Sequence, residues 1–138
     1  MRPVTVLAFD YGTRRIGVAV GNTITRSARP LATVDEASEE ARMAAIGRLV
    51  GEWAPDVLVV GLPVHADGTP HDMTSRAQRF AEALRDRFQA DVQFADERHT
   101  SEAARAALAG QGRAGRAKRD EVAAQIILQA WLDDPAHS

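Results

Sequence analysis

Cysteine is absent from this chain. That excludes disulfides and thiolate metal sites and is compatible with a reducing compartment. Aromatic residues are scarce at 5%, too few for the platforms on which proteins of the single-strand-binding type stack successive bases. Neither sign of charge dominates. The 17 basic and 19 acidic side chains leave a formal net charge of −2, so any contact with nucleic acid must come from a local patch. No apolar run approaches the roughly 20 residues that span a bilayer, and no membrane association is expected. Arg2-Pro3 precedes a short strand-like run with no small-residue cleavage site, so no signal peptide is expected and the cytoplasm is the default location. His65, His71, His99 and His137 have no metal-ligand spacing to one another.

What is present suits an ordinary globular protein. The 138 residues are 45% apolar and 26% charged. That length predicts one domain, 1–138, burying roughly 68–70% of its unfolded surface. Val4 to Phe9 is a nearly continuous apolar run, as in a strand covered on both faces. Ile16 to Val20 is close enough to pair with it as a hairpin across Tyr11-Gly12-Thr13. Pro30 to Val34 reads as a short strand whose proline suits a sheet edge. Helical spacing of Ala37, Ala41, Ala44, Ala45, Leu49 and Val50 follows from Asp35 to Trp53, with Asp35 or Ser38 as cap.

Val57 to Val60 is a further strand, stopped by Gly61-Leu62-Pro63. A loop from Val64 to Asp72 leads to a helix ending near Phe88, and Asp91 to Ala95 is the last strand. Thr100 or Ser101 caps an alanine-rich helix to about Ala109. Gln111 to Arg119 reads as a flexible Gly- and Arg-rich segment, and a final helix runs from about Asp120 to Leu132. Right-handed crossovers then place the fourth and fifth strands parallel to the first. The expected fold is α/β: a mixed five-stranded sheet, strands one to three antiparallel, flanked by helices.

Acids from distant parts of such a chain meet at one edge. Ligands bind beyond the carboxyl ends of parallel strands. Asp10 ends the first strand there, and Asp96 and Glu97 end the fifth. Asp120 precedes Ala124 by one turn on the apolar stripe of the last helix, with Ile127, Leu128 and Trp131. Clustered carboxylates repel unless a cation joins them, and an all-oxygen donor set favours Mg²⁺ or Mn²⁺. Two such ions, roughly 3.5–4 Å apart, would activate water and stabilise a leaving oxygen in phosphodiester hydrolysis. Each acid alone has a plainer role: Asp10 as a turn hydrogen bonder, Asp120 as a helix cap, Asp96 and Glu97 as solvated loop charges. Their convergence carries the inference.

Arg113, Arg116, Lys118 and Arg119 stand beside Asp120. A short charge run is usually a solvated surface. Its adjacency to Asp120 favours a phosphate-gripping arm that positions substrate without reading sequence. Arg14, Arg15 and Arg98 either line the same edge or make surface ion pairs.

The residues also resemble a family. Phe9-Asp10-Tyr11-Gly12-Thr13-Arg14-Arg15-Ile16-Gly17-Val18-Ala19 is similar to the opening of the YqgF, or RuvX, proteins. So are Val60-Gly61-Leu62-Pro63, Asp67-Gly68-Thr69, Asp96-Glu97-Arg98-His99-Thr100, and Asp120 with Ala123-Ala124-Gln125-Ile126-Ile127-Leu128. The resemblance spans nearly the whole chain. It implies a ribonuclease-H-like fold related to the RuvC Holliday-junction resolvases and a Mg²⁺- or Mn²⁺-dependent nuclease. It further implies action on structured RNA, in maturing the 5′ end of 16S ribosomal RNA, or on branched DNA. By motif position Asp10, Glu97 and Asp120 would form the acidic triad, with Asp96 as a substitute for Glu97. One departure stands out. RuvC-like sites use more acids near the last helix, whereas here Glu121 lies about 100° round the helix from Asp120. Asp133 and Asp134 lie more than three turns beyond.

Two other functions compete. Asp10-Tyr11-Gly12-Thr13 also looks like the phosphate loop of the actin and hexokinase superfamily, which binds nucleotide between two lobes where this chain has room for one. A non-catalytic RNA- or ribosome-binding factor would need the basic residues but not the acids. Junction resolution needs two symmetric cuts and hence a homodimer; trimming of RNA suits a monomer.

Overall fold

The computed structural model describes residues 3–62, 72–96, 116–134 and 136. Three strands come first: β1 (Thr5–Tyr11), β2 (Ile16–Asn22) and β3 (Ala28–Val34). Then follow α1 (Glu39–Trp53), β4 (Val57–Leu62), α2 (Asp72–Phe88), β5 (Asp91–Asp96) and α3 (Arg116–Asp133). The expected alanine-rich helix near 100–109 and the loop around Asp67 lie outside the described residues.

The five strands form one sheet in the order β3-β2-β1-β4-β5. β1 pairs antiparallel with β2 and parallel with β4, β2 pairs antiparallel with β3, and β4 pairs parallel with β5. This is the mixed sheet that the order of apolar runs predicts. β3 is an edge, which accommodates the proline: Pro30 faces Ala19, Ala32 faces Val18, and Leu31 between them makes a bulge.

The sheet separates two cores, and strand alternation sorts the side chains between them. Leu7, Phe9, Ile16, Val18, Leu58 and Val60 belong to the core beneath α1 and α2, with Met43, Ile46, Phe80 and Leu84. Val6, Ala8, Ala19, Val57 and Val59 belong to the core beneath α3, with Ala124, Ile127, Leu128, Trp131 and Leu132. Among the described residues no helix is long and apolar enough to cross a membrane.

Two helices start elsewhere than the sequence expectation, α1 at Glu39 rather than near Asp35, although Ser38 is one of its two expected caps. α1 is capped by Ser38, whose hydroxyl accepts from the Ala41 N–H at 3.0 Å; Asp35 is exposed ahead of the helix. Its buried face is Arg42, Met43 and Ile46 rather than the full alanine series, since Ala37 and Ala44 are exposed. Larger side chains hide more apolar area per position and set the rotation of the helix. α3 starts at Arg116, so the segment expected to be flexible up to Arg119 is helical over its last four residues. Arg, Ala and Lys are good helix formers. The first turn carries no acid, so the usual electrostatic mark of a helix start is missing.

Candidate active site

β1 delivers Asp10 to the α3 side of the sheet. Val6 and Ala8 pack in the α3 core and Leu7 and Phe9 in the other; Asp10 continues the parity of Val6 and Ala8. Its partner across the hairpin is Gly17. Residues directly opposite in an antiparallel pair project to the same face, so Gly17 leaves a bare patch beside the Asp10 carboxylate.

The last helix fills that patch. A Cβ placed on Gly17 would fall 1.9 Å from the Asp120 carbonyl oxygen and 3.1 Å from the Asp120 Cβ. Only glycine admits so close an approach of helix backbone to strand. Asp120 therefore rests on the residue that faces Asp10, and two acids separated by most of the chain reach one spot. One turn later Ala124 is fully buried, as the stripe of the last helix predicts.

Asp120 is already neutralised. Arg15 Nε donates to Asp120 Oδ2 at 2.7 Å, and the two side chains are about one-quarter exposed, at 24% and 25%. Of the two sequence alternatives for Arg15, an ion pair is what forms, but with an acid of the candidate site rather than with a distant surface group. Glu121 turns elsewhere: the Thr33 hydroxyl lies 3.3 Å from Glu121 Oε1. It leans toward β3, as its position about 100° round the helix requires.

The other predicted residues divide as follows. Arg14 is exposed in the turn after β1, and Arg119 is exposed near the start of α3. Arg116 and Lys118 belong to the first turn of α3 as backbone. Asp96 is the last residue of β5, facing Leu62 in the register of β4. Glu97, Arg98 and Arg113 lie outside the described residues. Among the described residues no group of three or more His, Cys, Asp or Glu comes close enough to hold an ion; Asp10 and Asp120 supply two oxygen donors of the kind that hard divalent cations take.

Arg42 escaped the sequence reading. It is only 8% exposed, although arginine is seldom buried. Its Nε donates to the Glu36 carbonyl at 3.1 Å, and its terminal nitrogens donate to the carbonyls of Gly12, at 3.5 Å, and Thr13. α1 thus holds the turn that follows Asp10 from beneath. Nothing in the helical spacing distinguishes Arg42 from the solvated Arg48 of the same helix.

Comparisons with known proteins bear on the family and the fold. Residues 4–134 match a family model described as RuvX, Holliday junction resolvase. The chain belongs to the RuvX family. A relative from Dechloromonas aromatica, named "Putative pre-16S rRNA nuclease", is 56% identical over 136 residues, covering 96% of this chain and 93% of its own. A relative of the same name from Paraburkholderia xenovorans is 55% identical over 133 residues, covering 96% and 90%. Among solved structures, a Thermus thermophilus RuvC in complex with a Holliday junction substrate superposes with a TM-score of 0.59 at 14% identity, over 93% of this chain and 94% of that one. A second Thermus thermophilus RuvC structure gives 0.51 at 15% identity, over 90% and 92%. At such identities the likeness is one of fold, and that fold is the ribonuclease-H-like sheet expected of the RuvX family.

Proposed function

We propose that this RuvX protein is a divalent-metal-dependent endonuclease that hydrolyses phosphodiester bonds in structured nucleic acid. The observation that carries the proposal is the meeting of Asp10 and Asp120 over Gly17 at the carboxyl edge of β1. An acid at the end of β1, with a second acid on the helix packed against its strand partner Gly17, would make a good seat for a hard cation. Glu97 is the third donor. The resemblance of the Asp96-Glu97-Arg98-His99-Thr100 motif supports Glu97 over Asp96 in that role.

Mg²⁺ or Mn²⁺ held by these acids would polarise the phosphoryl oxygens and lower the pKa of an attacking water. The residues of the chain do the rest. Arg15 neutralises Asp120 and would compete with a cation for that carboxylate. Arg42 holds the Gly12 and Thr13 carbonyls and so keeps the end of β1 in place. Arg14, Arg98, Arg113, Arg116, Lys118 and Arg119 would contact substrate phosphates. The first turn of α3 is well suited to this: cations at a helix N-terminus oppose the helix dipole, and an approaching phosphate relieves both.

The names of the relatives support a ribosomal RNA precursor as substrate, and the description of the family supports a branched DNA. The full-length similarity to proteins named as nucleases argues against a purely binding role and against a nucleotide-binding lobe. A monomer in the cytoplasm would serve RNA trimming. The test is a cleavage panel with Mg²⁺ and Mn²⁺ on a precursor 16S leader, a four-way junction, a flap and linear duplex, run with wild type and Asp10→Asn. Metal-dependent cutting by wild type alone is expected. Equal cutting by both proteins would overturn the assignment of Asp10.

A further inference from the structure

β1 ends one residue past Asp10, at Tyr11, on the opposite face of the sheet. A cleft of about 430 Å³ opens there, lined by Tyr11, Glu39, Arg76, Arg79 and Phe80. Its floor is aromatic: the Tyr11 and Phe80 rings lie 4.9 Å apart at 33°, and Phe80 is fixed in turn by an edge contact with Phe9 at 5.8 Å. Arg76 and Arg79 stand three residues apart on α2, the spacing that puts side chains on one helix face. Both are exposed.

The arginines of α2 differ sharply in their partners. Arg85 donates to the Val92 carbonyl, and Arg87 pairs with Glu40. Arg76 and Arg79 have no hydrogen bond or ion pair among the described residues, and neither does the Tyr11 hydroxyl. Two guanidinium groups, one phenol and an aromatic floor make a donor-rich seat for a phosphate. Glu39 limits its charge. With both arginines and this one carboxylate the lining sums to a single positive charge, which matches a phosphodiester better than a terminal phosphate.

We propose that this cleft seats a phosphodiester of the substrate strand next to the one held at the acids. The proposal rests on the nuclease reading above. Asp10 and Tyr11 are consecutive, so the acids and the cleft lie on either side of the end of one strand. A chain passing over that end touches both. Arg76 and Arg79 hold the phosphate, and the Tyr11 hydroxyl donates a third hydrogen bond.

The test is binding of a fluorescein-labelled single-stranded RNA in EDTA, which stops cleavage, followed by anisotropy across a salt series. The double substitution Arg76→Gln, Arg79→Gln is expected to lower the slope of log affinity against log salt by about 1.4, two contacts at ~0.7 each on a single strand. Tyr11→Phe is expected to weaken binding a few-fold with the slope unchanged. Parallel titrations with inorganic phosphate and adenosine monophosphate identify the source of the phosphate: RNA-selective binding is expected. Loss of mononucleotide binding with an unchanged RNA slope would overturn the proposal, as would an unchanged slope alone. Mn²⁺ calorimetry separates the two levels. If wild type binds Mn²⁺ and RNA but the double variant keeps the full slope, the cleft alone is wrong. If wild type binds neither, the nuclease reading fails and the cleft with it.

Discussion

On the α1 and α2 side of the sheet, Leu7, Phe9, Ile16, Leu58 and Val60 meet Met43, Ile46, Phe80 and Leu84. On the α3 side, Ala8, Gly17, Ala19 and Gly21 lie beneath a single helix. The first face is built from large side chains, which keep the helices away from the strands and bury most apolar area per residue. The second is built from small ones. A Cβ on Gly21 would come within 3.2 Å of both Leu128 Cδ2 and Leu132 Cδ1, and one on Gly17 would collide with the backbone of Asp120. The difference teaches where position matters more than bulk. Helix α3 comes close because small residues leave room for its backbone at Gly17 and for its leucines at Gly21.

Equal damage to the two faces should therefore have unequal consequences, and the largest effect is expected at Gly17. Gly17→Ala overpacks the contact with Asp120 and should cost about 1–3 kcal/mol or more of stability. Because α3 must shift to make room, Mn²⁺ binding should be lost as well. Leu84→Ala, at a fully buried position on the inner face of α2, should cost roughly 2–5 kcal/mol yet leave Mn²⁺ affinity intact in the folded protein. Denaturant unfolding and calorimetry on both variants check the contrast; equal metal affinities would erase it.

Arg42 links the two sides, reaching from α1 to the turn that follows Asp10. Arg42→Gln removes buried donors from the carbonyls of Glu36, Gly12 and Thr13. A loss of about 0.5–1.5 kcal/mol is expected, the net worth of a hydrogen bond whose acceptor can turn to water instead, read as a lower denaturation midpoint.

These residues mark how far the sequence alone reaches. Apolar runs announced β1, β2 and β4, because a strand covered on both faces needs such a run; the alternation of Val92 and Phe94 with Gln93 announced β5, and right-handed crossovers gave the topology. Pro30 announced the edge. The placement of Asp10 at the end of β1 and of Asp120 near the start of the last helix was legible from the apolar run and the helix stripe. The start of α3 was not, because Arg116, Lys118 and Arg119 read as a charged loop and no acid marks the first turn. The burial of Arg42 was not, because what satisfies it is backbone carbonyls of a distant turn, which no helical period encodes. Arg15 was ambiguous for a related reason: its partner lies 105 residues away.

A smaller effect is expected at Arg15. The ion pair competes with a cation for Asp120, so Arg15→Gln should tighten Mn²⁺ binding about two- to fivefold, the scale of a partly exposed pair. Weaker binding in this variant would mean that Arg15 positions Asp120 instead. The smallest effect is expected far from the site, at Glu40 on α1. Arg87 holds its carboxyl below the ordinary glutamate value, through a hydrogen bond and then its charge. A lowered folded-state pKa means that the pair contributes at neutral pH and that the contribution fades as pH falls through that pKa. Both groups are solvated, so Glu40→Gln should leave the thermal midpoint at pH 7 unchanged within error.

On the proposed reading, acids from β1 and α3, joined by Glu97, share a divalent ion. Anomalous diffraction from a crystal soaked in MnCl₂ tests it most directly. A manganese peak bridging the carboxylates of Asp10 and Asp120, with Glu97 as a third ligand, is the expected result. No peak at that edge, with the Arg15 pair to Asp120 intact at saturating Mn²⁺, would contradict it.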